Sequence, residues 1–238
     1  MRRLANGTIL YGYDSVPFAR SEVPGASVWV APNSLYSRDD LTVSASNGPY
    51  TSVLYVGRLV AEKKVDVLIR GFLLSDLSAR GVRLLIVGEG GERARLVALV
   101  SELGGDAVVS FLGQVSEVNE LRHLYEDAIC SVSPGYVGLS LTQSLGFGVP
   151  MLVSRDEPHS PELELARIGG VSFFDTDSPK SLAGLFNDLQ IQGNAASRQT
   201  TNSAVRDTYS AEAMAAGITS ALRNTHQELG ADGWPTNQ

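Results

Sequence analysis

The sequence predicts an α/β fold built as a doubly wound parallel sheet, and two observations carry that reading. Short β-branched or apolar runs recur at residues 52–56, 83–87, 108–112, 128–132 and 151–154. They are nearly continuous in apolarity rather than alternating, as expected of strands covered on both faces. Helical periodicity falls between them. Val65, Leu68, Ile69 and Phe72 repeat at i, i+3, i+4 and i+7, as do Leu96, Leu99, Val100 and Leu103. Val118, Leu121, Leu124 and Tyr125 follow a similar spacing, and Leu182, Leu185, Phe186 and Leu189 repeat it. Alternation of this kind means parallel strands joined by helical crossovers.

The ends read differently. Residues 1–32 offer two strand-like pieces, 8–13 and 28–31, but no complete strand–helix–strand unit. Residues 33–50 are polar and turn-rich (Ser37-Arg38-Asp39-Asp40, then Ser46-Asn47-Gly48-Pro49), which reads as a linker. After Gly193 and Asn194 comes a polar stretch containing Thr200-Thr201-Asn202-Ser203. A helix follows with Ala211, Ala215, Ile218 and Leu222 on one face, and residues 224–238 read as a frayed tail.

The 238 residues are 43% apolar and carry a formal charge of −7, which excludes a disordered chain. The acidic balance argues against broad nucleic-acid binding. Cys130 is the single cysteine and lies in an apolar run, so it reads as a buried, reduced thiol. No apolar run reaches the ~18 residues of a membrane helix. Arg2 and Arg3 resemble the start of a signal peptide, but Gly7, Gly12, Tyr13 and Asp14 interrupt any apolar stretch behind them. The expected compartment is the cytoplasm, with the inner face of the membrane as the alternative.

In an open parallel sheet, ligands sit at the carboxyl ends of the strands, so the residues after each run matter most. Gly57-Arg58-Leu59 and Glu62-Lys63-Lys64 put cations beside a helix start, either an anion clamp or a solvated basic turn. Gly88-Glu89-Gly90-Gly91 falls short of a dinucleotide fingerprint because Arg93 stands where glycine is needed. It reads as a tight strand-to-helix turn. Ser133 to Gln143 combines glycines with an apolar helix start, offering backbone N–H groups to a phosphate or simply a glycine-requiring turn. His159 has no His or Cys partner at metal-ligand spacing, so a zinc site is not expected there.

Together these loops resemble the carboxyl-terminal half of the retaining, group 1 glycosyltransferases of the GT-B fold. The matching stretches are Val56-Gly57-Arg58-Leu59-Val60-Ala61-Glu62-Lys63, Leu85-Ile86-Val87-Gly88-Glu89-Gly90, Phe111-Leu112-Gly113 and Gly138-Leu139-Ser140-Leu141-Thr142-Gln143, with Gly148-Val149-Pro150 and Pro161-Glu162 further on. They stand in family order at family spacing over about residues 27–223.

The resemblance implies one Rossmann-like domain of a two-domain enzyme. Residues 1–32 would be a remnant of an amino-terminal acceptor domain plus crossover, 33–50 the linker, and 51–223 the nucleotide-sugar donor-binding domain. Arg58 and Lys63, beside Gly57, would grip the diphosphate of a UDP- or GDP-linked sugar and offset charge growing on the leaving group. Phe111, Leu112 and Gly113 would meet the base. The backbone at Gly138, Leu139 and Ser140 would hold phosphate, and Gln143 the ribose. No metal or other cofactor is expected, because the cations and the helix dipole replace it. The implied acceptor is a polysaccharide or glycoconjugate. The implied partners are the acceptor-binding domain, in cis or in trans, with a homo-oligomer and peripheral membrane association of the full-length enzyme as further expectations.

Two features depart from the family pattern. Glutamates normally occupy both ends of the stretch that here runs from Gly135 to Gln143; Gly135 has no side chain, and Gln143 carries no charge. The first glutamate lies near the donor sugar in the family, so no catalytic residue is assigned. The chain is also short for a two-domain enzyme. A non-catalytic nucleotide-sugar-binding module or an inactive truncated remnant therefore stands as the alternative function, and a nicotinamide-dependent oxidoreductase as a third that Arg93 disfavours.

Overall fold

The computed structural model describes residues 5–43, 49–191 and 195–236. The turn at 46–48, the pair Gly193 and Asn194, and Arg2 and Arg3 lie outside the described residues. Six strands make the main sheet: β3 (Ser52–Val56), β4 (Arg83–Val87), β5 (Val109–Gly113), β6 (Ala128–Ser133), β7 (Met151–Ser154) and β8 (Val171–Phe174). Their order is β5-β4-β3-β6-β7-β8, and every pairing is parallel. The chain therefore runs outward from β3 to one edge, then returns to β6 and runs to the other. The strand order reverses between β3 and β6, the place where such sheets bind ligands.

The crossover helices are α2 (Val65–Leu74), α3 (Arg93–Glu102), α4 (Val118–Glu126) and α5 (Leu139–Gly146), followed by α6 (Pro179–Asp188). Val65, Leu68, Ile69 and Phe72 bury the stripe that the periodicity predicts, in one core cluster with Val53, Leu84 and Ile86 of the sheet. β8 escapes a reading by apolar runs because Ser172 breaks its four residues, Val171 to Phe174. The next helix, α7 (Ala195–Thr208), escapes for a different reason. Its inward stripe of Arg198, Thr201, Asn202 and Val205 has helical spacing but is mostly polar. Asn202 donates its amide to the carbonyls of Leu41 and Gly146, so the stripe is buried because it is hydrogen-bonded.

The amino-terminal part needs correction. β1 (Gly7–Leu10), α1 (Val16–Glu22) and β2 (Ser27–Val30) form a complete strand–helix–strand unit, with β1 and β2 parallel. The helix has seven residues, with Pro17 in its first turn, and is too short to show periodicity. Residues 33–43 form a strap rather than a loose linker. Leu41 is fully buried and packs on Gly146, and Tyr36 reaches into the site. The tail also packs. Leu229 bridges Pro235, and Trp234 stacks on Tyr13 with ring centroids 4.9 Å apart. The last long helix, α8 (Ala211–Arg223), lies on β2, with Gly217 against the carbonyl of Val30.

Candidate functional site

The loops after β3, β6 and β7 converge at the carboxyl ends of β3 and β6. The first follows β3. A 3₁₀ turn, Ala61–Lys63, leads to Lys64 in the left-handed region (φ 49°), where α2 begins. Lys64 faces away, pairing with Glu157 at 2.6 Å and Asp177 at 2.8 Å, which ties this loop to those after β7 and β8. Lys63 instead turns toward the β6 loop. Its Nζ donates to the Tyr136 carbonyl at 2.7 Å and lies 4.2 Å from that ring's centroid. One of its three donors is used, leaving two for a ligand. Arg58 is exposed, and its guanidinium makes no hydrogen bond or ion pair with a described residue. Burial and, secondarily, the Arg58 charge lower the Lys63 pKa below the ordinary lysine value, against an opposing pull from Glu62.

The second loop carries Gly135 to Gly138 into α5, whose first turn presents Leu139 and Ser140. His159 fixes this loop. Its Nδ1 accepts from the Val137 N–H at 3.1 Å, while Nε2 donates to the Ser154 carbonyl at 2.8 Å. The histidine thus acts as a staple between loops. Tyr136 and Ser160 add a hydroxyl–hydroxyl contact of 2.5 Å.

These loops enclose a cleft of about 310 Å³ lined by Gly57, Arg58 and Lys63 on one side and Gly138, Leu139, Ser140 and Gln143 on the other. Gln143 is buried and donates to the Tyr36 hydroxyl at 2.9 Å. Asn33, Ser160 and Glu162 add to the wall; Glu162 lies in the matched pair Pro161-Glu162, to which the resemblance assigns no role, and Asn33 and Ser160 lie outside the matched motifs. A second cleft of about 390 Å³ shares Gly57 and Arg58 and continues along Gly88, Glu89, Gln114 and Val115. Phe111, Leu112 and Gly113 flank this cleft rather than line it. Phe111 is partly buried against the core, 5.9 Å from the Arg93 guanidinium, and Leu112 points outward. The following residues, Gln114 and Val115, take the lining position.

Gly88 and Gly90 have a structural use. Both sit at positive φ, and a Cβ on either would run into the carbonyl of Gly57 or Leu59. The glycines let the β4 loop pack directly on the β3 loop, with Leu59 N–H donating to Glu89 and Glu92 N–H to Leu59. Arg93 pairs with Glu89 at 3.3 Å. At Gly135, a Cβ would lie 2.2 Å from the carbonyl oxygen of Glu62, so the loop has no room for a side chain. Among the described residues no group of three or more His, Cys, Asp or Glu is placed to hold a metal, and no helix is long and apolar enough to cross a membrane.

A six-stranded parallel sheet whose order reverses at a cation-lined cleft defines a Rossmann-like α/β domain. The chain belongs to the glycosyl transferases group 1 family, whose model matches residues 37–206. Among curated proteins it is similar to the UDP-N-acetylglucosamine–peptide N-acetylglucosaminyltransferase GtfA subunit. The protein from Limosilactobacillus reuteri subsp. suis is 33% identical over 102 residues, 42% of this chain and 20% of that one. The Streptococcus parasanguinis protein is 32% identical over 118 residues, 49% of this chain and 23% of that one. The matched stretch thus spans less than a quarter of either relative.

Solved structures show the same fold. Anabaena Alr3699/HepE in complex with UDP superposes with TM-score 0.71 at 17% identity, covering 94% of this chain and 65% of that one. Pneumococcal O-GlcNAc transferase GtfA in complex with UDP and GlcNAc gives 0.66 at 15%, covering 92% and 45%. These structural neighbours are GT-B glycosyltransferases.

Proposed function

We propose that this chain is the donor-binding half of a retaining glycosyltransferase that uses a nucleotide-linked sugar, UDP- or GDP-linked, to modify a polysaccharide or glycoconjugate. The observation that carries the reading is the convergence of Arg58, Lys63 and the first turn of α5 on one cleft at the sheet's reversal point. A diphosphate there meets a free guanidinium, two free ammonium donors and the positive end of a helix. As the bond to the sugar breaks, negative charge accumulates on the departing diphosphate, and these groups stabilise it without a metal. Gln143 has an amide N–H and a carbonyl oxygen left for ribose hydroxyls. The second cleft, beside Gln114 and Val115, suits the base. The UDP named for the GtfA and HepE structures favours uridine. The acceptor would bind a further domain, supplied in cis or in trans.

The second reading, a nucleotide-sugar-binding module without turnover, is favoured by one observation. Gly135 has no side chain, and its surroundings have no space for one. Calorimetry of the full chain with UDP, GDP, their sugar conjugates and NAD tests both readings, because each requires nucleotide diphosphate binding. Binding of UDP or GDP but not NAD is the expected result; preference for NAD, or no binding of any, overturns the assignment. Release of free sugar from a bound UDP-sugar then separates a catalyst from a binding module.

A further inference from the structure

Among the described residues that line the first cleft, Glu162 is the one with a carboxyl group. It is the second residue of the 3₁₀ stretch Pro161–Ile168 and is 3% exposed. Its Oε1 accepts from Asn33 Nδ2 at 2.9 Å, while Oε2 is buried with no hydrogen-bond partner among the described residues. Buried polar atoms are almost always paired, so an orphan beside a ligand cleft marks a missing partner. The cleft's other groups are mainly donors suited to an anion: Arg58, Lys63 and the N–H groups of α5. A polyhydroxylated ligand needs acceptors as well, and Gly135 supplies none.

We infer that Glu162 Oε2 accepts a hydrogen bond from a hydroxyl of the sugar carried by the nucleotide diphosphate, with Asn33 as its positioning residue. The inference rests on the nucleotide-sugar reading above. Asn33 belongs to the strap and Glu162 to the loop after β7, so their bond closes one end of the cleft and holds the carboxyl group in place. The sugar end of the donor is thereby read by a residue outside the Gly135–Gln143 stretch.

Glu162→Gln tests this with little change of shape. Asn33 donates, so the new amide must turn its oxygen toward Asn33 and its NH₂ into the place of Oε2. An acceptor facing the sugar becomes a donor. Calorimetry of the full chain would compare UDP with UDP-N-acetylglucosamine and UDP-glucose. The expected result is UDP affinity within about twofold of wild type, while the ratio of UDP-sugar to UDP affinity falls about tenfold or more. An unchanged ratio overturns the proposal. So does an equal loss for UDP and UDP-sugar, which marks a purely structural role. If Glu162→Gln does not fold, Asn33→Ala at the half-buried partner is read by the same ratio, with the same outcomes deciding. Absence of UDP binding in the wild type is a separate result, which removes the nucleotide-sugar reading and this proposal with it.

Discussion

At the scale of single residues, the proposed diphosphate clamp makes the sharpest demands. Removing Arg58 or Lys63 by alanine substitution should weaken UDP binding by ~1.5–3 kcal/mol, roughly ten- to a hundredfold, since each charge-assisted contact is lost outright. Unchanged affinity in both variants would remove the clamp. Lys63 adds a pH signature. Burial, then the neighbouring Arg58, lower its pKa below the usual 10.5. Only the protonated ammonium grips phosphate, so UDP affinity should fall as pH rises through that lowered value, before an exposed lysine would lose its charge. Stability moves the other way. The unfolded chain holds this proton more tightly, so this group's contribution to folding grows with pH. Titrating UDP at increasing pH, with Lys63→Arg as the control that postpones the loss, checks the sign. Cys130 makes the opposite kind of prediction. Its thiol is fully buried in β6, and burial pushes its pKa far above the ordinary range. Thiol reagents should label it only under denaturing conditions; rapid native labelling would contradict that.

Elements are where sequence and structure part company, and Gly135 shows why in energetic terms. The family pattern suggests that Gly135→Glu would restore a missing group. The structure predicts damage instead, because the Cβ would stand 2.2 Å from the Glu62 carbonyl and the Ala61–Lys63 turn would have to move. Overpacking of this kind costs roughly 1–3 kcal/mol, and displacing Lys63 should weaken UDP binding as well. A variant that melts at or above the wild-type temperature and binds UDP normally would show that the loop yields freely. The elements that bury apolar stripes were legible in the sequence: α2 and α6, and strands β3, β4 and β7 at their observed bounds. Those that bury polar groups were not. α7 hides Arg198, Thr201 and Asn202 through hydrogen bonds and a stacked tyrosine, and no hydropathy pattern reports a satisfied polar core. The site divides along the same line. Arg58, Ser140 and Gln143 stand in the motifs that carry the family resemblance and line one cleft, whereas Asn33 reaches it only because a distant strap folds over it.

For the whole molecule, the amino-terminal unit is joined to the main sheet by a continuous apolar cluster that includes Leu10, Val16, Val30, Leu145, Val153 and Tyr209. Glu164 completes the joint by accepting from the Tyr13 and Asp14 N–H groups and the Tyr209 hydroxyl. Gln227 bonds both the N–H and the carbonyl of Val30, closing the outer edge of β2. On β1, Ile9 is 48% exposed and Tyr11, just beyond the strand, 63%. A two-stranded sheet is marginal alone, and neighbouring exposed apolar side chains favour association. The chain should therefore associate through the exposed side chains of Ile9 and Tyr11 as its concentration rises and, on the proposed function, should transfer little sugar without an acceptor-binding partner. Sedimentation velocity over a concentration series measures the first effect. Ile9→Lys with Tyr11→Lys should return the chain to monomer with little change in melting temperature, since both side chains face solvent. Turnover measured with and without an acceptor-binding domain in trans addresses the second. A wild-type chain that stays monomeric at every concentration, or that transfers sugar fully by itself, would leave the exposed Ile9 and Tyr11 without the role assigned to them.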